Sequence, residues 1–107
     1  MREIETETQL RAVLRNGNAV LVCFHSTRSA YSRRTVKILA EIAEDFQMVE
    51  FYLLDADREN FLPLLAEFRV VGLPTISFFR AGVRGGCLIG ERSEKALAIL
   101  LESLLKP

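Results

Sequence analysis

The chain contains no tryptophan, one histidine, two cysteines and three prolines in 107 residues, and its 14 Lys plus Arg balance its 14 Asp plus Glu. Each shortage excludes something. One histidine, His25, leaves a multi-ligand metal site without enough donors. The cysteines, Cys23 and Cys87, both sit inside strand-like runs, and buried free thiols of this kind fit a reducing cytoplasm rather than a disulfide-stapled secreted domain. The balanced charge gives neither nucleic acid nor an anionic membrane a basic field to bind. No apolar run reaches the ~20 residues that a bilayer span needs. The opening MREIETETQL is charged and polar, so it is not expected to be a secretory leader. We expect no metal and no cofactor. Half of the residues are hydrophobic and 26% are charged, which suits a single domain over residues 1–107 with its own core.

Patterned apolar residues predict the elements. Thr6 to Gln9 reads as a capping box, T-x-x-Q, opening a helix whose Leu10, Val13 and Leu14 share a face, with Gly17 placed to end it. AVLVCFH, Ala19 to His25, is apolar without alternation, as a strand covered on both faces would be. From about Ser32 to Phe46, Val36, Leu39, Ala40, Ala43 and Phe46 recur at helical spacing. Met48 to Leu54 reads as a second buried strand, and Asn60 to about Phe68 as a short helix with Pro63 in its first turn. Thr75 to Arg80 is a third strand. Ala81-Gly82 turns it into a weaker one, Val83 to Ile89, which Gly85 and Gly86 loosen. Ser93 caps a last helix with Leu97, Leu100, Leu101 and Leu104 on one stripe. The order α-β-α-β-α-β-β-α predicts an α/β fold: a mixed sheet of about four strands with helices on both faces.

Several of these segments together resemble thioredoxin. They are AVLVCFH, TRSAYSRRTVKILAEIAEDF, LLDAD, VVGLPTISFFRAG, the isolated Gly90 and the amphipathic last helix. The resemblance runs from about Leu10 to Leu105 and is to the short form without an extra N-terminal strand. Its most specific part is Gly72-Leu73-Pro74-Thr75. It implies a thioredoxin-like fold, a relation to proteins of cell redox homeostasis, and a cis bond before Pro74, which only X–Pro peptides adopt at as little as ~0.5–1 kcal/mol.

The resemblance also marks departures. Where the family motif is W-C-G-P-C, this chain has Arg28-Ser29-Ala30-Tyr31-Ser32, with Ser29 and Ser32 at the cysteine positions. Cys23 stands at the position of the family's buried acid, and Leu53 at that of a nearby lysine. The family activity is protein-disulfide reduction. It needs a thiolate to attack sulfur and a second thiol to resolve the mixed disulfide. A helix N-terminus lowers a thiol pKa usefully but not that of an alcohol, and oxygen cannot form the product. No catalytic dithiol is intact, and two origins stay open. The serines are native in a redox-inactive relative, or they replace cysteines in an engineered oxidoreductase.

Other chemistries are weaker readings of the same residues. Ser29 as a nucleophile needs a base within reach, for which His25 is the only imidazole, whereas helix capping needs nothing more. Cys23 and His25 lie on one strand face, but a buried cysteine also packs as a small hydrophobe. Arg28, Arg33, Arg34 and Lys37 form a basic cluster that reads either as a solvated face or as a surface steering an acidic partner. From the resemblance, an extended peptide or protein segment would lie against Ala30, Tyr31, Leu73, Pro74 and Gly90. It would pair with the backbone of Leu73 by strand addition, with Tyr31 as an aromatic anchor. The expected function is therefore a non-catalytic peptide- or protein-binding module, of chaperone type.

Overall fold

The computed structural model describes residues 1–106. Its elements are β1 (Arg2–Ile4), α1 (Glu7–Arg15), β2 (Ala19–His25), α2 (Ala30–Ala43), β3 (Val49–Asp55), α3 (Leu62–Glu67), β4 (Thr75–Arg80), β5 (Val83–Ile89) and α4 (Glu94–Leu105). A 3₁₀ turn, Glu59–Phe61, leads into α3, where Pro63 sits in the first turn and its missing N–H is not needed.

Serine and threonine caps fix where the helices start. Thr6, Ser29 and Ser93 are each extended, and each side chain accepts the N–H three residues on. The box at Thr6 closes one residue early: Gln9 Oε1 takes the N–H of Glu5 at 2.8 Å. Helix α2 starts two residues before the expected Ser32, because Ser29 caps it and Ala30 is already helical.

The sheet has five strands in the order β1-β3-β2-β4-β5. β1, β3 and β2 run parallel, β4 is antiparallel to β2, and β5 is antiparallel to β4. β1 corrects the expectation of about four strands and of a form without an N-terminal strand. It pairs Arg2, Glu3 and Ile4 with Tyr52, Leu53 and Leu54. Three residues are too few to show alternation, and only Ile4 is buried.

Every residue of β2 is buried. Successive side chains point to opposite faces. Ala19, Leu21 and Cys23 therefore pack with Leu39 and Ile42 of α2 and Leu97 and Leu101 of α4. Val20, Val22 and Phe24 pack with Leu10, Leu14, Leu64 and Phe61 on the other side. Each fully buried leucine or phenylalanine stabilises such layers by about 1.5–3 kcal/mol. The β4–β5 turn uses positive φ at both Ala81 and Gly82, the handedness a two-residue hairpin needs. This scaffold brings the end of β2, the start of α2 and the segments flanking β4 and β5 to one end of the sheet.

Candidate functional site

The loop from Ser26 to Ser29 is held by its own polar groups. The Ser29 N–H bonds to the Ser26 carbonyl at 3.1 Å, and the Ser29 hydroxyl accepts from the Ser32 N–H at 3.2 Å. Ser32 is fully buried, and its hydroxyl accepts the N–H of Ser26 at 3.2 Å. Both serine oxygens thus serve the backbone. Asp57, in the turn after β3, clamps the loop from outside. It accepts the Ser26 hydroxyl at 2.6 Å and Arg28 Nη2 at 3.0 Å. The Arg28 guanidinium, and after it the Ser26 hydroxyl, hold the Asp57 carboxyl below the usual carboxylate range.

Across from this loop, the Leu73–Pro74 peptide bond is cis. The Pro74 carbonyl accepts the Gly90 N–H at 2.7 Å, which seats Gly90, at φ +91°, beside it. The N–H and C=O of Leu73 make no hydrogen bond among the described residues. Gly72 lies against Ile89, since a Cβ there would stand 3.1 Å from Ile89 Cγ2. Arg34 joins the two sides. Its Nε donates to Glu91 Oε2 at 2.9 Å, and its guanidinium carbon stands 5.2 Å from the centroid of the Tyr31 ring. Tyr31 is 60% exposed. The result is an open surface with unused strand-pairing groups on one side and an aromatic ring on the other. Cavities of about 340 Å³ beside Arg11, Glu67 and Phe68 and about 250 Å³ beside Met1, Glu50 and Tyr52 share no lining residue with it.

A family model described as Thioredoxin matches residues 2–103. The chain belongs to the thioredoxin family. A thioredoxin-like protein of Acanthamoeba polyphaga mimivirus is 33% identical over 63 residues, which is 59% of this chain and 46% of that protein, so the match spans less than half of the relative. The crystal structure of thioredoxin from Trypanosoma brucei brucei superposes with a TM-score of 0.87 at 23% identity, covering 98% of this chain and 90% of that one. Thioredoxin from Fasciola hepatica gives 0.85 at 22% identity, covering 96% and 98%. These structural likenesses show the thioredoxin fold.

Within that fold the residues singled out from the sequence separate into groups. Cys23 and Leu53 are register partners on β2 and β3. Cys23 is fully buried, and burial pushes its thiol up to about 12. Cys87 is also free, on the edge strand β5 opposite Ser77. Neither thiol belongs to the loop.

The structure does not assemble the Ser29–His25 pairing. His25 Nε2 is buried without a hydrogen-bond partner, and the Ser29 hydroxyl is occupied as a cap. The Cys23–His25 dyad is not formed either, because Cys23 lies in the apolar layer. Of the basic cluster, Arg28 and Arg34 are ion-paired, with Asp57 and Glu91. Arg33 Nη1 bonds the Thr27 carbonyl at 2.7 Å, and Lys37 is exposed.

Ser26, Asp57, Glu91 and Arg92 escaped the sequence reading. The polar DAD turn and the residues after Gly90 were visible there. Their partners lie 29 and 57 residues away, beyond any local pattern. Among the described residues no group of three His, Cys, Asp or Glu side chains is placed to hold a metal ion, and no helix is long and apolar enough to cross a membrane.

Proposed function

We propose that this thioredoxin-family chain performs no dithiol–disulfide exchange and acts as a binding module, of chaperone type, for extended segments of partner proteins. The observation that carries this reading is the use of both serine hydroxyls at the start of α2 as backbone acceptors. Exchange requires a thiolate that attacks sulfur and a second thiol that releases the product. Cys23 meets neither need, since it is sealed in the core with its thiol pushed up to about 12.

Binding needs less. The unpaired N–H and C=O of Leu73 can extend the sheet by one strand of a partner. Tyr31 supplies an exposed aromatic contact, and Ala30, Pro74 and Gly90 flank the groove, the last two locked together by the Gly90 N–H to Pro74 carbonyl bond. A reducing cytoplasm suits the two free thiols.

An insulin-reduction assay tests the chemical half. With dithiothreitol as electron source, the full chain should leave the uncatalysed rate unchanged, and measurable turnover overturns the reading. The binding half is tested with an immobilised random decapeptide library. Tyr31→Ala should weaken captured peptides by roughly tenfold or more, the size of effect a central aromatic anchor has. An unchanged profile removes Tyr31 from the site.

A further inference from the structure

The rim of this surface carries more positive charge than its neighbours neutralise. Arg34 and Arg92 flank Glu91. Arg34 Nε bonds the Glu91 carboxylate at 2.9 Å, while Arg92 Nη1 bonds the Glu91 carbonyl at 3.0 Å. Arg92 also folds back over the groove, its Nη1 lying 3.5 Å from where a Cβ on Gly90 would be. Only Arg34 reaches the Glu91 carboxylate; the Arg92 guanidinium bonds a backbone carbonyl and has no carboxylate partner among the described residues.

A guanidinium has five N–H donors in a planar fork, and a carboxylate matches it best along an edge that offers two. Glu91 takes only Nε of Arg34, so the edge formed by the two Nη groups has no partner among the described residues. Stacking on Tyr31 and the bond to Glu91, next to Gly90, hold that edge in place. By contrast, Arg28 directs both Nε and Nη2 at Asp57 and has spent its fork on the loop. Beside Leu73 the surface also carries exposed apolar side chains. Val71 is 81% exposed and Ile89 45% exposed, and Gly72 brings their two segments together.

On the reading that extended segments lie beside Leu73, we infer that the groove selects segments with an acidic side chain close to an apolar one. The carboxylate meets Arg34 and Arg92, and the apolar side chain meets Val71 and Ile89. Arg34 and Arg92 are then the specificity-determining residues. They choose among segments, whereas Leu73 holds any of them.

The test uses the full chain on an immobilised random decapeptide library at low salt and at about 0.5 M salt, where screening shortens to a few ångströms. Captured peptides should be enriched in Asp or Glu near an aliphatic or aromatic residue, and that enrichment should fade in high salt. In the Arg34→Gln/Arg92→Gln double variant, acidic peptides should weaken about fivefold to tenfold while captured neutral peptides keep their affinity within about twofold. Capture without acidic preference, or a preference that survives the double variant, overturns the inference and leaves the binding module standing. Capture of no peptide at all by the wild-type chain overturns the binding module itself, and the inference with it.

Discussion

Ser29 and Ser32 illustrate how much a pair of oxygens contributes where the family motif carries sulfur. A hydroxyl is a good backbone acceptor and a thiol a weak one. Ser29 caps α2 and Ser32 satisfies the N–H of Ser26, a residue only 5% exposed. The two bonds fail differently when removed. Ser29→Ala removes a cap whose freed N–H groups lie on a partly exposed first turn, so a loss of about 1 kcal/mol is expected. Ser32→Ala leaves the Ser26 N–H with no acceptor and little water, so the expected loss is larger, about 1–3 kcal/mol. Urea unfolding of the two variants checks both size and order. A Ser32→Ala chain as stable as the wild type would show that the buried N–H is served some other way.

At the scale of elements, β5 is the weakest member of the sheet. It is an edge strand, its pairing with β4 shifts register between Phe78 and Phe79, and Gly85 and Gly86 leave it without side chains there. Gly86 also faces an apolar gap of about 10 Å³ lined by Leu39, Ile76, Phe78, Leu101 and Leu104. A Cβ at Gly86 would meet the two Leu104 methyls at 3.4 Å, ordinary contact. Gly86→Ala should therefore gain about 0.5–1 kcal/mol from reduced chain entropy and added packing. A melting experiment should show a rise of roughly 4–8 °C per kcal/mol for a domain of this size. A fall in melting temperature would mean that the bulge needs the freedom of glycine.

The same contrast explains what was legible before the structure. AVLVCFH, the caps at Thr6 and Ser93 and the stripe on α4 are dense local patterns, and they read correctly. β1 carries one buried residue and pairs with β3 some fifty positions away, so no local pattern marks it. Serine at positions 29 and 32 was legible as a departure from the family's cysteine positions. The clamp by Asp57 and the bond from Arg34 to Glu91 were not, because each joins segments far apart in sequence that meet only in space.

For the whole molecule, near-zero net charge leaves specific groups rather than overall repulsion to set the pH range of stability. Three carboxyls are held below their ordinary range: Glu50 by hydrogen bonds from Asn18, Tyr52 and Asn16, Glu67 by Arg11, and Asp57 by Arg28 and Ser26. The unfolded chain takes up these protons first, near the ordinary carboxyl values of about 4. Their stabilisation is therefore complete above that pH and is lost as pH falls through the lower folded values. Cys23 and Tyr52 are shifted the other way, mainly by burial, the thiol to about 12. Here the unfolded chain loses its protons first, from about 8.5 for a thiol. Stability is then complete below that pH and declines as pH rises toward the folded value. Urea midpoints should accordingly form a plateau between about pH 5 and 8 and fall on both sides. Cys23→Val keeps the core apolar and removes the titrating thiol, so it should flatten the alkaline decline while leaving the acid limb in place. An alkaline limb unchanged in Cys23→Val would assign that decline to Tyr52 and its bond to Glu50 instead.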